Sequence, residues 1–170
     1  MAERELLHSI EIAAPIEAVW AELTRLDGRQ RAMMDTVLES SLEVGAPLYY
    51  KSPDGKRVFI VGRVVDIDPP KRLAHTQRLI MRDDPFTLVE WTLEETAGGT
   101  RVTLRHSGWP EDTTDLHKVD GTWATILPEL KRVLETGDIS TKLKLQYAGM
   151  RAFMWAMPAR TRTANVPEPD

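Results

Sequence analysis

Leu6, His8, Ile10 and Ile12 fall on one side of an alternating run, the period-two pattern of a half-buried strand, and Ala14-Pro15 ends it. Ile16, Val19, Trp20 and Leu23 then recur at helical spacing. Pro15 stands where a missing N–H is harmless, so a short helix is predicted to about Arg25. A second, weaker helical piece is predicted over Gln30–Met34. The pattern then returns to strand, in six runs: Leu38 to Val44, Leu48 to Lys51, Arg57 to Asp68, Leu73 to Met81, Phe86 to Glu95 and Thr100 to His106. Turn residues part them, among them Pro53-Asp54-Gly55, Pro69-Pro70 and Ala97-Gly98-Gly99. Within the run from Arg57, Val64-Val65 breaks the alternation and marks a bulge. From about Thr114 to Thr136, Val119, Trp123, Ile126, Leu127, Leu130, Val133 and Leu134 share a single helical face.

The resulting order is β-α-α-β-β-β-β-β-β-α. Strands joined by short turns make an antiparallel meander with one face free to pack, and the lone long helix must lay its apolar stripe across that face. The fold class is therefore α+β, a curved antiparallel sheet of about seven strands around a long helix, with two short helices after the first strand. A strongly curved sheet closing on one helix leaves room for a hollow between them.

Composition narrows the function classes. There is no cysteine among the 170 residues, which excludes disulfides, a thiolate nucleophile and Cys-based metal sites. The 22 basic and 26 acidic side chains give a net −4, a poor match to nucleic acid, whose binding draws on a basic field. No apolar run reaches the ~18 residues of a membrane span, and the opening MAERELLHSIEI alternates and carries acids, unlike a signal peptide. A cytoplasmic setting is expected. Charge is uneven: residues 1–137 hold 17 basic and 23 acidic groups, whereas 138–170 hold 5 and 3. The shift coincides with the helix stop Thr136-Gly137-Asp138. We expect a domain over 1–137, a helical extension over 138–157, and a tail over 158–170 with little to bury and no fixed structure.

Five stretches in order resemble the START-like (SRPBCC) helix-grip superfamily, in the branch related to the activator of the ninety-kilodalton heat-shock chaperone's ATPase. They are Ile10-Glu-Ile12-Ala-Ala-Pro15 with Val19-Trp20, Asp66-Ile-Asp-Pro-Pro70 with Lys71-Arg-Leu73, Val89-Glu-Trp91-Thr-Leu93, Gly99-Thr-Arg-Val-Thr-Leu-Arg-His106-Ser-Gly108, and Gly121-Thr-Trp123 with Leu127-Pro-Glu-Leu130-Lys. The resemblance runs from about residue 7 to 137 and implies the helix-grip fold, which holds ligands beneath its long helix. It implies three kinds of activity: binding of a small hydrophobic or aromatic molecule, a polyketide cyclase or aromatase-like reaction, or a chaperone-activating interaction. Binding without assigned chemistry is the leading expectation.

Strand parity gives candidate residues. Val89, Trp91 and Leu93 face inward, as do Val102, Leu104 and His106 on the next strand, and His75 and Gln77 share a side with Leu73. The expected ligand-binding lining is Tyr50, His75, Gln77, Trp91, His106 and Trp123, with Trp91 and Trp123 as opposing walls. Buried polar groups cost about 1–3 kcal/mol each when unpaired, so these side chains imply either internal partners or a ligand with polar edges. A cyclase reading would use His75 or His106 as the acid–base group. No catalytic residue is assigned, no cofactor is expected, and the absence of any HxH or HxxxH pair argues against a metal. In the extension, Leu143, Tyr147, Met150, Phe153, Met154 and Met157 form one stripe, which is expected to pack on the domain or to form a homodimer through 138–157.

Overall fold

The structure, a computed structural model, describes residues 4–82, 84–110, 112–114 and 116–169. The elements are β1 (Leu6–Ile12), α1 (Ile16–Leu23), β2 (Arg29–Gln30), β3 (Thr36–Glu39), β4 (Pro47–Lys51), β5 (Val58–Asp68), β6 (Arg72–Leu79), β7 (Thr87–Thr96), β8 (Gly99–Ser107), α2 (Leu116–Thr136) and α3 (Thr141–Ala152). The strands form one antiparallel sheet in the order β1-β8-β7-β6-β5-β4-β3-β2. A meander thus accounts for β2 to β8, and β1 closes the far edge against β8, pairing Leu6 with His106 and Ile12 with Thr100.

The predicted α+β architecture stands, with one local correction. The second short helix is absent: Arg29–Gln30 pairs with Thr36–Val37 as an eighth strand, and residues 31–35 turn between them. Local propensity lost to tertiary partners there. Gln30 is buried and its side-chain amide donates to the Leu23 carbonyl at 2.8 Å, satisfying an acceptor at the end of α1. Ala32 and Met33 bury into the same core. The β5 bulge lies where Val64-Val65 placed it, since the β5–β6 register shifts between Val64 and Asp66.

One core fills the space between the concave face of the sheet and the two helices α1 and α2. From α2 it takes Trp123, Ile126, Leu127 and Leu130, the predicted stripe. The long helix is tied to β1 by polar contacts along its length. His8 meets Asp120 (2.8 Å), Lys131 Nζ donates to the Glu11 carbonyl (2.6 Å), and Glu135 accepts from the Ala13 N–H (2.8 Å). α2 begins at Leu116, and Glu111 and Asp115 before it lie outside the described residues.

Past Gly137 the chain turns back onto the domain. Ser140 caps α3, its hydroxyl accepting from the Leu143 N–H, and Leu143 and Tyr147 bury against Ile139, Met34 and Val133. Three 3-10 turns follow, at Met154–Ala156, Ala159–Thr161 and Thr163–Asn165. Residues 158–163, in the tail expected to find little to bury, run along the β4–β5 turn. Arg57 Nη1 donates to the Met157 and Pro158 carbonyls and to Thr161 Oγ1 (3.1, 3.1 and 2.9 Å), and the Thr163 N–H donates to the Lys56 carbonyl. Thr161 is fully buried, and Val166 joins a second apolar cluster of Val58, Val61 and Ile80. An Arg57→Ala variant is expected to free this segment, with rapid tryptic cutting at Arg160 and Arg162 and a stability loss of about 1–2 kcal/mol. A digestion pattern identical to that of the parent protein would show that other contacts suffice.

Candidate functional site

β6, β7 and β8 lie side by side, and their register sets one row of inward residues. His75 pairs with Val89, and Val89 pairs with His106, so the two histidines flank one valine on the concave face. One row further along, Gln77 stands opposite Thr87. All six residues selected by parity are buried: Tyr50, His75, Gln77, Trp91, His106 and Trp123. Five of them fall into two groups, and Trp91 packs against Trp123.

The first group is a closed hydrogen-bond chain. Trp123 Nε1 is a donor only, and it points at His106 Nδ1 (3.0 Å), so that nitrogen must be the acceptor and the ring proton must sit on Nε2. His106 Nε2 then donates to Thr87 Oγ1 (2.8 Å), whose own hydrogen goes to the Gln77 carbonyl (3.2 Å). Every proton in this chain has one place to go. Protonating His106 would set a second N–H against the indole N–H, in a buried site. Burial, with a smaller contribution from nearby His75, pushes its pKa down to about 3. His106 is therefore a neutral structural histidine, and neither ring nitrogen is available to abstract a proton.

The second group is Tyr50 and His75, with ring centroids 6.3 Å apart. His75 Nδ1 donates to the Thr76 carbonyl (3.0 Å), while Nε2 is buried with no hydrogen-bond partner. Burial drives the His75 pKa down to about 4 and raises that of Tyr50. Both groups stay neutral near pH 7.

Trp91 and Trp123 do not stand apart as walls of a void. Their rings meet edge to face, centroids 5.6 Å apart at 85°, a favourable packing geometry that fills the space between sheet and helix. The open space lies at the end of the sheet instead. A cleft of about 270 Å³ is bounded by Leu79 at the end of β6, the β6–β7 connection (Arg82, Pro85) and the β8–α2 connection (Trp109, Pro110, Thr113), with Val119 of α2 behind it. A niche of about 20 Å³ continues inward to Gln77, Thr87 and His106. Trp109 stands between cleft and niche. Its ring lies over His106 at 4.4 Å, and its indole N–H donates to the His106 carbonyl (3.3 Å). Gly108 makes this possible: its φ of +80° folds the chain back after β8, a conformation that costs other residues about 1 kcal/mol or more.

Of the predicted lining, Gln77 and His106 thus reach open space, whereas Tyr50, His75, Trp91 and Trp123 line neither cleft nor niche. Thr87 was missed. Its signal was present, since it shares the parity of Val89, Trp91 and Leu93 one step before the predicted face begins. Leu79, Pro85 and Trp109 lie on or beside connections, where no periodicity points at a site. Among the described residues no three His, Asp or Glu side chains converge as metal ligands, and no helix is long and apolar enough to cross a membrane.

Comparison with known proteins bears on the same region of the chain. The model of the family described as Activator of Hsp90 ATPase homolog 1-like protein matches residues 13–135. Protein MLL2253 from Mesorhizobium loti superposes with a TM-score of 0.66 at 23% identity, over 80% of this chain and 100% of that one. The Aha1 dimer from Colwellia psychrerythraea gives 0.66 at 24% identity, over 79% and 98%. CalU16 from Micromonospora echinospora gives 0.63 at 23% identity, over 91% and 87%. At such identities these likenesses show the fold alone. No protein of curated function matches.

Proposed function

The chain belongs to the Activator of Hsp90 ATPase homolog 1-like family, and from that premise we propose that it binds a small hydrophobic or aromatic molecule without transforming it. The observation that carries this reading is the cleft beside Trp109, which shares Leu79, Pro85, Trp109 and Val119 with the niche at Gln77 and His106. Leu79, Pro85, Trp109, Pro110 and Val119 offer apolar surface, and Arg82, Asp84 and Thr113 place polar groups around it. A flat ligand with a polar edge suits that lining, and about 270 Å³ is close to the lower end of small-molecule sites, ~300–1,000 Å³. The niche is too small for a ring while Trp109 covers it; rotation of that one side chain would join the two spaces.

Binding is preferred to a cyclase-type reaction because of the histidines. Both nitrogens of His106 are committed, and the free nitrogen of His75 is sealed in the core. A group that cannot reach a substrate proton is no general base.

Native mass spectrometry of freshly purified protein tests the reading, together with titration of a neutral fluorescent probe, N-phenyl-1-naphthylamine. A saturable site is expected, and Trp109→Ala is expected to weaken it about tenfold through loss of the stacking surface. No carried ligand and no saturable probe binding would sink the proposal. The same spectrum reports whether the chain pairs with itself through 138–157. Leu145, Phe153 and Trp155 stay exposed there, and the Colwellia relative was solved as a dimer.

A further inference from the structure

At the opposite end of α2 from the Trp109 cleft, the β2–β3 turn meets α3. Arg29 comes from β2 and Arg31 from the turn, Lys144 and Arg151 come from the helix, and all four line a second cleft of about 270 Å³ with Tyr147 beneath. Two carboxylates stand among them. Asp35 is buried, and a single oxygen, Oδ2, accepts from both Arg29 Nη1 (3.0 Å) and Arg151 Nη1 (2.9 Å). Asp138 accepts from Arg31 Nη1 (3.0 Å) and from Lys144. Arg31 also donates to the Gly137 carbonyl. Of the neighbouring carboxylates, Glu129 is turned to the Ser140 N–H, and Glu22, which shares an adjoining cleft with Arg29 and Arg31, is paired with Arg25.

Four cations facing two carboxylates leave an excess of two positive charges, on a protein whose net charge is −4. The carboxylates engage only part of each guanidinium. Arg29 and Arg151 each give one terminal nitrogen to Asp35, and their remaining N–H donors stay at a solvent-open cleft. The side chains of Arg29, Arg31, Lys144 and Arg151 are each about half exposed, so a solute can reach them, whereas the Asp35 carboxylate is 8% exposed and acts as a fixed internal counter-ion. Forked guanidinium donors match tetrahedral oxyanions geometrically, and an excess of two charges matches a dianion better than a single carboxylate.

We infer that this cleft is a binding site for a phosphoryl dianion, carried either by a small phosphomonoester or by a phosphomonoester lipid headgroup. Arg29, Arg31 and Arg151 supply the hydrogen bonds, and Lys144 adds charge. The site shares no residue with the Trp109 cleft and stands or falls independently of it.

Calorimetric titration with phenyl phosphate, and co-sedimentation with phosphatidylcholine vesicles with and without phosphatidic acid, test the inference and separate the two sources. Binding of phenyl phosphate assigns the site to soluble phosphomonoesters. Binding to phosphatidic acid vesicles alone assigns it to the headgroup. Arg31→Gln is expected to weaken whichever probe binds about tenfold, the scale of one charged hydrogen bond. Asp35→Asn removes the competing charge, and asparagine tolerates the φ of +56° held there, so affinity is expected to rise several-fold. Trp109→Ala leaves it unchanged. Should Asp35→Asn fail to fold, Arg31→Gln, whose site is solvent-facing, carries the test. No saturable binding of either probe, or an Arg31→Gln affinity equal to that of the parent, would overturn the inference.

Discussion

Between pH 6.5 and 5 the protein is expected to lose several kcal/mol of stability, more than a typical domain loses in that window. The source is the pair His75 and His106, both held neutral by burial, with pKa values pushed from 6.5 down to about 4 and about 3. In the unfolded chain each histidine takes up a proton as the pH falls through about 6.5. In the folded chain neither does so until the pH approaches its own depressed value. The unfolded state therefore binds more protons throughout the interval, and stability is complete above about pH 6.5 and drains away as the pH falls. Over this interval each histidine gives up about 1.5 kcal/mol, roughly 3 kcal/mol for the pair, against the ~5–15 kcal/mol of an ordinary domain. Asp54, Glu135 and Asp138, whose carboxyls are held below their usual range by hydrogen bonds, act in the same direction, but only where carboxylates begin to protonate, below about pH 5. Urea midpoints measured at half-unit intervals give the slope. Proton uptake on unfolding is expected to approach two per molecule near pH 5, and His75→Leu is expected to lower it to about one. At pH 7.5 that variant loses one hydrogen bond to the Thr76 carbonyl but removes an unpartnered buried nitrogen, so its stability there should change little. A slope indifferent to His75→Leu would refute the assignment.

The same histidines show what a sequence can and cannot say. Alternation placed His75 and His106 on the inward face correctly, because strand parity follows from backbone geometry alone. It could not say that His106 would find Trp123 on one side and Thr87 on the other. Those partners come from α2 and from the adjacent strand β7, and only the sheet register brings them together. The expectation of opposing Trp91 and Trp123 walls was right about direction, while the distance between the rings depends on how deeply α2 sinks into the sheet. β5 illustrates a different limit. Val58 through Gly62 are all buried, so alternation vanishes there. The inner face meets the core, and Val61 on the other face meets Val166 and Ile80. The partner that hides the pattern lies over a hundred residues away, in a tail whose attachments are backbone carbonyls and a threonine hydroxyl rather than a hydrophobic stripe. The two clefts were illegible for a related reason. One is assembled largely from connections, the other from charges that look like ordinary solvated residues until the fold gathers them.

Gly62→Ala is expected to be a severely damaging single-methyl change in the sheet. Gly62 lies on β5 opposite Leu48 of β4, and on its other side β5 runs against β6. A Cβ at this position would sit 1.7 Å from the Thr76 carbonyl oxygen and 2.6 Å from its carbon, both backbone atoms that no rotamer change can move. The carbonyl lies there because the β5–β6 ladder is interrupted between the pairs Val61–Arg78 and Val64–His75. Within the gap the Arg63 N–H donates to the Thr76 hydroxyl (2.9 Å) instead of a backbone carbonyl, and the Thr76 carbonyl accepts from the His75 ring. A methyl group at 62 must push β6 away from β5, and the strand it displaces carries both His75 and Gln77. Overpacking against immovable backbone costs at least the ~1–3 kcal/mol of a crowded core, and the strand separation adds the lost ladder and the freed His75 donor, for a total of about 4 kcal/mol or more. For a chain of this size that is a fall of roughly 8–16 °C in the melting temperature followed by circular dichroism. Gly98→Ala is the control. A Cβ there meets nothing within 4 Å, and its backbone is not left-handed, so its midpoint should stay within about 2 °C of the parent. Equal midpoints for the two variants would mean that β5 and β6 are not so closely apposed at this crossing, and the buried placement of His75 would lose its support.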